Sequence, residues 1–516
     1  MKRSTLIFLV ASILLVLVLV VSVVYELKVL PGQLQRKING AQLGGFQVRC
    51  GDVETNFWAR QLIVHQLELS NSSDDAQIQI PYLKVEGISL WALFIQRRIK
   101  SDHVFIRHPR ISWVKRSKER ESPATTGTKR KFGFQTDKLS IDQATCQLFR
   151  ENSEDTLISA VLNVDVWNLT SRRKNRNYKF RHYAFKRVRV RMSQGKYSLA
   201  NQLYALLFNG VEYDSKQKLL TMNRIHLVSN YSKYQIGRKQ RVETDWLDLQ
   251  FDGFAMHNIQ LNRLLKDTAV VASKADLQNL SVDAFKDRRL PFPRQPNTRL
   301  PMEIINELPF KLHCDSFLIH HGTVDYAERV KDSPQAGAVK FTNLTAKIVE
   351  ISNIKSLIDR PTRMKISTRV MDKGRLTAYF NFPNKQFSEP YQASGELGPM
   401  PISAFNAMIE QNAYLHVVRG RVQKISYYFQ YNNDRSNGNL QFEYENLKVH
   451  LLDHDDHSRK KIKSFLLNSF VVHKDNLRTK NNFRTGTISF QRDKKKSIFN
   501  YWWKSVLSGV KSIAIL

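Results

Sequence analysis

Alternation of apolar and polar residues restricts what this chain can fold into more than any other feature, and it recurs along most of the length. Because successive side chains of a β-strand point to opposite faces, a period of two predicts strands with one apolar and one polar face. Turn-forming runs at 71–75 and 432–438 separate such segments. We therefore predict a mainly β protein. The clearest alternating positions are Leu62, Val64, Leu67, Leu69, Val104, Ile106, Ile111, Trp113, Val188 and Val190, the last two lying between Arg187, Arg189 and Arg191.

Helical spacing of apolar residues is confined to three places along the chain. These are Leu199–Leu207, Ile402–Ile409 and Phe499–Ile515. Apolar residues that recur every three or four positions indicate an amphipathic helix. We therefore expect a few helices at the ends or corners of a sheet.

A faint internal repeat relates residues 132–149 to residues 310–326. Both segments consist of a strand, a short polar break and a second strand, and a third copy is suggested at 103–113, with Pro109 at its break. Chance similarity between β-rich segments is the alternative, whereas true repetition favours a sheet extended by serial addition of hairpins. The aligned pairs are Leu139 and Phe317, Ile141 and Ile319, Ala144 and Gly322, Thr145 and Thr323, and Leu148 and Tyr326.

An apolar run near the N-terminus, Leu6–Val24, contains no charged residue, Gly or Pro. About 19 residues at a rise of 1.5 Å span nearly the whole hydrocarbon layer of a bilayer, so the run predicts a transmembrane helix. Lys2 and Arg3 precede it, and the positive-inside rule places the N-terminus in the cytoplasm and the body on the far side. A cleaved signal peptide is the alternative, but the sequence after the run offers no small-x-small cleavage site.

The charge balance of the chain is strongly basic, with 80 Lys and Arg against 46 Asp and Glu, a net charge of +34. Such a field attracts polyanions such as nucleic acid, anionic lipid headgroups or acidic glycolipid. Because the body is predicted to lie outside the cytoplasm, nucleic acid is not expected as a partner and anionic lipid is. The three cysteines, Cys50, Cys146 and Cys314, are far apart and predict neither a metal knuckle nor a disulfide framework.

Several segments, in a characteristic order, resemble AsmA-like envelope proteins. The N-terminal part has the anchor, a Gly-rich stretch at 40–45, the phrase VEGISLWALF at 85–94, a basic pair and a strand closing at His108-Pro109. The C-terminal part has Tyr391–Met400, Val418–Val422 and Gly438–Val449, and its closing segment resembles AsmA-like proteins of the Bacteroidetes branch. The family is related to the bridge-like lipid transfer proteins, which are built from repeating β-grooves.

The resemblance implies an N-terminal transmembrane helix followed by an elongated, curled antiparallel β-sheet with an apolar groove and a few amphipathic helices, one of them C-terminal. It implies anchoring in the inner membrane, with the body in the periplasm. Two interruptions, at 118–131 and 288–301, suggest where to divide the chain. The predicted segments are 1–26, cytoplasmic tip and anchor; 27–127, N-terminal AsmA-like unit; 128–300, middle β region with a basic stretch; 301–497, C-terminal AsmA-like unit; and 498–516, amphipathic helix.

A half-apolar sheet curled on itself needs only alternation to line a groove, so function is expected to be spread over a surface. A plain sandwich core filled by the same side chains is the alternative reading. The candidate groove residues are Leu312, Phe317, Ile319, Tyr427, Phe429, Phe442 and Tyr444.

Two further segments are candidates for contact with a membrane. The stretch 172–191 has ten basic and no acidic residues, interleaved with aromatics, and predicts contact with anionic headgroups; a solvated strand face is the alternative. The C-terminal helix places Trp502, Trp503 and Leu507 on an apolar face after three lysines, which suits a membrane interface; a helix covering the edge of the sheet is the alternative. The candidate anion-contacting residues are Arg172, Arg173, Lys174, Arg187, Arg189 and Arg191.

Catalytic motifs are not recognisable in this sequence, and no cofactor or metal is expected. The run 453–457 and the pair His320-His321 contain metal-ligand residue types, but contiguous ligands in a polar turn are poor evidence of a site. The leading hypothesis is a non-enzymatic inner-membrane protein that binds or guides phospholipid or acidic glycolipid for envelope and outer-membrane homeostasis. The alternative is an envelope scaffold or outer-membrane assembly factor that binds protein partners.

Overall fold

The computed structural model describes residues 29–39, 41–43, 46–71, 75–89, 91–92, 95–96, 98–115, 133–151, 155–171, 183–199, 202–293, 298–384, 390–452 and 473–514. The fold is mainly β, with curled, largely antiparallel sheet and few helices, as predicted. The apolar run Leu6–Val24 lies outside the described residues. Within the described part of the chain, no helix is long and apolar enough to cross a membrane.

Contacts divide the chain into two compact units. Unit 1 comprises Met1–Ala200 and Leu207–Leu220, and unit 2 comprises Asn201–Leu206 and Thr221–Leu516. The division falls within two strands, β12 (Tyr204–Asp214) and β13 (Leu219–Ser229). The predicted helix at Leu199–Leu207 is therefore wrong, because its second half belongs to β12. Leu203 and Ala205 are buried at alternate positions, which is the burial period of a strand.

Unit 1 begins with helix α1 (Leu30–Asn39) and continues as sheet. The sheet runs from β2 through β4 and β5 to the two strands β6 and β7, and then through β8 and β9 to the two strands β10 and β11. In addition, β1 pairs with β2, and β3 pairs with β4. The strands are β1 (Gln42–Leu43), β2 (Phe46–Arg49), β3 (Val53–Asn56), β4 (Gln61–Asn71), β5 (Ala76–Glu86), β6 (Arg98–Arg107), β7 (Arg110–Lys115), β8 (Gly133–Arg150), β9 (Thr156–Ser171), β10 (Tyr183–Ala184) and β11 (Arg187–Ser198).

Unit 2 carries strands in the order β14, β15 with β16, β17, β18, β19, β20, β21, β23, β24, β25, with β22 beside β23. They are β14 (Asp245–His257), β15 (Ala269–Gln278), β16 (Ser281–Asp287), β17 (Lys311–Arg329), β18 (Gly337–Ser352), β19 (Thr362–Val370), β20 (Gly374–Phe382), β21 (Tyr391–Leu397), β22 (Met400–Pro401), β23 (Leu415–Tyr431), β24 (Arg435–Leu451) and β25 (Thr485–Gln491).

The helices of unit 2 are short except the last. They are α2 (Gln235–Gln240), α3 (Leu261–Asp267), α4 (Pro301–Asn306), α5 (Asn406–Ala413) and α6 (Ile498–Ala514), with 3₁₀ turns at Lys355–Leu357 and Ile402–Phe405. The predicted helices at Ile402–Ile409 and Phe499–Ile515 are thus confirmed, the former as a 3₁₀ turn followed by α5, and the latter over its described residues as α6.

The predicted repeat corresponds to one supersecondary arrangement present in each unit. In unit 1, β6 and β7 pair in parallel with β8; in unit 2, β15 and β16 pair in parallel with β17. Gln143 in β8 and His321 in β17 have positive φ angles of 50° and 54° and lie at equivalent register shifts, after Ile141 and after Ile319. The alignment of these two strands is therefore confirmed. The suggested third copy, 103–113, is the strand pair β6 and β7 that lies beside β8.

Both interruptions in the sequence pattern fall between strands that pair in parallel. Residues 288–310 join β16 to β17 and contain α4, and residues 116–132, outside the described part, join β7 to β8. The predicted boundaries after residues 127 and 300 fall in these two connections. Each connection joins strands that pair with each other, whereas the division by contacts lies between residues 200 and 221.

The main core of unit 2 lies between the sheet and helix α6. The Trp502 ring centroid is 4.4 Å from that of Phe380, and the buried Tyr501 stands edge-on to Tyr431. Ile513 is also fully buried. Because a fully buried large apolar side chain contributes about 1.5–3 kcal/mol, these residues fix the helix on the sheet.

Close approach of α6 to strand β25 requires glycine at two facing positions. A Cβ atom on Gly486 of β25 would overlap the carbonyl oxygen of Gly509 in α6. The helix supplies hydrogen-bond acceptors to the outer edge of β25. The Thr487 and Ser489 backbone N–H groups donate to the Oγ atoms of Ser512 and Ser508, at 2.9 and 3.2 Å. Helix α6 therefore covers an edge strand that would otherwise expose unpaired donors.

We predict that Gly486→Ala lowers the free energy of unfolding by about 2 kcal/mol, since the added methyl group forces α6 away from the sheet. Gly398→Ala is the matched control, because a Cβ there would lie 3.6 Å from the Arg375 carbonyl oxygen, an ordinary contact. Chemical denaturation of both variants measures the difference. Equal stability of the two variants would contradict the close packing of α6.

Candidate functional site

One face of the unit 1 sheet is apolar across at least five strands. Hydrogen-bonded neighbours place alternate residues of β5 to β11 on the same face, row by row. We call this surface the apolar face of unit 1. Its four rows are Val85, Val104, Leu139, Val166 and Val188; Leu83, Ile106, Ile141, Val164 and Val190; Ile78, Ile111, Cys146, Ala160 and Gly195; and Ala76, Trp113, Leu148, Ile158 and Tyr197.

Helix α1 covers one end of this apolar face. Its Leu34 and Ile38 pack against a small core of Cys50, Val53 and Val64 at strands β3 and β4. Most side chains farther along the rows, from β6 to β11, are only half-buried. The face therefore combines a closed end with a broad, partly exposed apolar surface, which is a suitable shape for an elongated apolar ligand.

The pattern recurs in unit 2, where six of the seven predicted groove residues share one face. Phe317 lies in the row that leads through Ile348 and Met364 to Phe380 and then to Phe429. Ile319 lies in the adjacent row, which ends at Tyr427 and Leu440. Leu312 differs from Phe317 by an odd number of positions on the same strand, and it therefore lies on the opposite face.

The structure divides these six residues between two environments. Tyr427, Phe429, Phe442 and Tyr444 pack in the core of unit 2 to which helix α6 contributes, and burial raises the pKa of Tyr427 to about 12. Phe317 and Ile319 are half-buried and lie outside that core cluster. At the C-terminal strands, the same side chains that could line a groove therefore form a packed interior.

The arginines of strand β11 lie on the polar face of unit 1, opposite Val188 and Val190. Arg187 and Arg189 both bind Asp214, whose side chain is 2% exposed; Arg187 Nε is 3.1 Å from its Oδ1 and Arg189 Nη2 is 2.9 Å from its Oδ2. Arg191 pairs with Asp165 at 3.1 Å. These three charges are thus partly neutralised within the protein. Arg172, Arg173 and Lys174 lie outside the described residues.

The predicted interface residues of the C-terminal helix point in different directions. Trp502 packs against the sheet, Leu507 is half-buried, and Trp503 is 55% exposed next to Phe499 on the outer surface. The sequence allows two uses of this helix, membrane contact and covering of the sheet edge. The contacts of α6 with β25 show the second, while Trp503 and Phe499 leave an aromatic surface facing outward.

A histidine, a serine and an aspartate line up on the polar face of unit 1. His103 Nε2 lies 3.0 Å from Ser140 Oγ, which donates to Asp165 Oδ1 at 3.0 Å. In a hydrolase triad the histidine stands between the other two and accepts the serine proton. Here the serine occupies the central position and is buried, so this order does not activate it. Burial, assisted by Lys138, lowers the pKa of His103.

Metal ligation and thiol chemistry have little support in the described part of the chain. It contains no group of three His, Cys, Asp or Glu side chains that could hold a metal ion, and the run 453–457 lies outside it. Cys50, Cys146 and Cys314 are free, and burial raises the pKa of each thiol, which disfavours the nucleophilic thiolate.

Comparisons with known proteins add no family assignment. No protein-family model matches this chain, and no curated protein matches it significantly. The similarity to AsmA-like proteins therefore remains a hypothesis based on the order of several short segments. The sequence alone does not predict the apolar face of unit 1 as a site. Its residues alternate in the sequence, but the strand register is needed to place them in common rows.

We predict that Asp214→Asn lowers the free energy of unfolding by about 2 kcal/mol at pH 7, because two arginines lose a charged acceptor. The Arg187 guanidinium holds the pKa of Asp214 well below its usual range. The carboxylate therefore contributes stability above the unfolded-state pKa of about 3.9, and this contribution is lost as pH falls toward the lower folded-state pKa. Denaturation at pH 7 and pH 3 should show a smaller difference between variant and wild type at pH 3.

Glu212→Gln is the control for this change. Glu212 pairs with Arg189 at 3.4 Å but is 46% exposed, so its loss should cost less than about 0.5 kcal/mol. If Asp214→Asn has no larger effect than Glu212→Gln, the buried ion pairs do not stabilise unit 1.

Proposed function

We propose that this chain is a membrane-anchored, AsmA-like protein that binds or guides phospholipid or acidic glycolipid along an apolar β-surface. The observation that carries the proposal is the apolar face of unit 1, whose rows contain no charged residue. Acyl chains gain about 0.8 kcal/mol for each CH₂ group removed from water, so a surface spanning several strands offers substantial affinity without any specific motif.

The apolar run Leu6–Val24 provides the proposed anchor, in the inner membrane of a bacterium, with the body in the periplasm. The net charge of +34 suits this location, since the surfaces within reach of the body carry anionic lipid. A lipid seated on the apolar face would keep its headgroup at the rim, in water. Phospholipid and acidic glycolipid satisfy both conditions, because each joins apolar chains to an anionic head.

Unit 1 is a better candidate than the C-terminal strands of unit 2 for holding lipid. Helix α6 fills the apolar face there, and Tyr427, Phe429 and Tyr444 are packed in the protein interior. In unit 1 the described covering element is α1, which reaches only one end. The half-buried rows of β8, β9 and β11 are therefore the proposed seat of the acyl chains.

A second function, an envelope scaffold or assembly factor that binds protein partners, is favoured by the packed core of unit 2. A filled interior stabilises the sheet and leaves its outer surfaces for contact. Trp503 and Phe499 are 55% and 72% exposed on the outer side of α6 and would suit a protein interface as well as a membrane.

We expect a photoreactive benzophenone amino acid at Leu148 to form covalent adducts with phospholipid in cells that express the full-length chain. Leu148 lies on the apolar face, whereas the adjacent Gln147 lies on the opposite face of the same strand. Gln147 carrying the same photoreactive residue is the matched control. Mass spectrometry of the purified protein should detect lipid adducts at position 148 at several-fold higher yield than at position 147.

Equal lipid yields at the two positions would show only random contact with the membrane and would contradict the proposal. Protein adducts at position 148 in place of lipid would favour the scaffold function. Circular dichroism of both variants establishes that each retains its β-structure, so that a missing adduct reports on binding and not on unfolding.

A further inference from the structure

A hollow of about 400 Å³ lies at the outer face of strands β18 to β23 in unit 2. Two rows of cross-strand neighbours on β18 to β23 form most of its wall. We call it the basic hollow. Its outward-facing lining residues are Lys347, Lys365, Tyr379, Ser394 and Tyr428 in one row and Val349, Arg363, Asn381 and Gln392 in the next, and Met364 and Phe380 also line it.

The hollow contains three cations, Lys347, Arg363 and Lys365. Lys347 and Lys365 are directly opposite each other on β18 and β19, and Arg363 is two positions away on the same face. Strands β19 and β20 contain no acidic residue. Within the described part of the chain, none of these three cations forms an ion pair with a carboxylate.

Like charges placed directly opposite each other destabilise a sheet. On β11 of unit 1 the arginines are compensated by Asp214 and Asp165. The uncompensated group in the hollow has the composition of an anion site. Arg in particular binds phosphate through two parallel N–H donors, and Lys adds a mobile point charge.

The remaining wall provides rings and hydrogen-bonding groups. Tyr379 and Tyr428 are 47% and 44% exposed, and Lys365 Nζ lies 5.5 Å from the centre of the Tyr379 ring. The side-chain amides of Asn381 and Gln392 supply hydrogen-bonding groups beside the cations.

We propose that the basic hollow binds a phosphate ester of a polyol, with the phosphate held by Lys347, Arg363 and Lys365. The hydroxyl groups of the ligand form hydrogen bonds with the side-chain amides of Asn381 and Gln392, and its carbon skeleton lies against Tyr379 and Tyr428. Free polyol phosphates and the headgroups of glycerol-based phospholipids share this chemistry. The three cations are on the opposite face of the sheet from the apolar rows, and the site is independent of the proposed lipid function.

Isothermal titration calorimetry of the full-length protein in nonionic detergent, with glycerol 3-phosphate as the probe, tests the site. We expect saturable binding with one site per chain. Lys365→Glu should weaken it at least tenfold, because a phosphate-binding cation is replaced by a carboxylate. Tyr379→Ala should weaken it by a smaller factor. Inorganic phosphate should bind more weakly than glycerol 3-phosphate, because it carries no carbon skeleton for the rings.

Arg375→Glu is the matched control, since Arg375 is exposed on the same outer face of β20 but does not line the hollow. Its charge change is the same as that of Lys365→Glu, so binding should stay within about twofold if the hollow itself is the site and not the overall charge. Absence of saturable binding to the wild type, or equal weakening by the two substitutions, would overturn the proposal. Thermal melting of each variant separates lost binding from lost folding.

Sedimentation with vesicles identifies the source of the phosphate ester. The comparison is between vesicles of phosphatidylcholine alone and vesicles that also contain phosphatidylglycerol. If Lys365→Glu reduces binding to phosphatidylglycerol vesicles more than Arg375→Glu does, the ligand is a lipid headgroup. If both variants bind vesicles like the wild type while Lys365→Glu has lost glycerol 3-phosphate, the site takes a free polyol phosphate.

Discussion

The phase of side-chain alternation, kept constant from strand to strand, is the constraint on which both sheets depend. In β8 the apolar residues are Leu139 and Ile141 and then Ala144, so the extra residue Gln143 changes the phase. At the same level His108 interrupts β6 and β7, and Asn279 and His321 do the same in unit 2. Because a one-residue slip moves every later side chain to the other face, these irregularities must occur together for the apolar rows to continue.

Constant phase also decides where the charges lie. Once the apolar residues share one face, the arginines and lysines are left in rows on the other, where neighbouring strands bring like charges together. In unit 1 the buried Asp214 forms ion pairs with both Arg187 and Arg189 and so reduces their repulsion. In unit 2, Lys347 lies opposite Lys365, and neither forms an ion pair with a carboxylate of the described residues. The proposed phosphate ester would neutralise these charges as Asp214 neutralises the arginines in unit 1.

The local sequence pattern predicts much of the fold but little of the candidate site. Alternation predicted the strands, and the repeat of residues 132–149 at 310–326 marked β8 and β17. Pairing could not be predicted in the same way, since the parallel contact of β6 with β8 depends on a crossover with no fixed sequence signature. Likewise, Tyr427 and Phe429 alternate identically in an open groove and in a packed core. Their burial depends on where α6 docks, which is a tertiary property.

Side-chain size sets how closely helix α6 can approach the sheet of unit 2. Helix α6 approaches the sheet of unit 2 closely because Gly509 faces Gly486 and because Ser505 contacts Ser436, with their Oγ atoms 2.7 Å apart. The central rows of unit 1 contain larger, branched side chains such as those of Ile141 and Val164, which keep a packed element farther from the backbone. A flexible acyl chain can follow such a surface, so these side chains are compatible with a lipid.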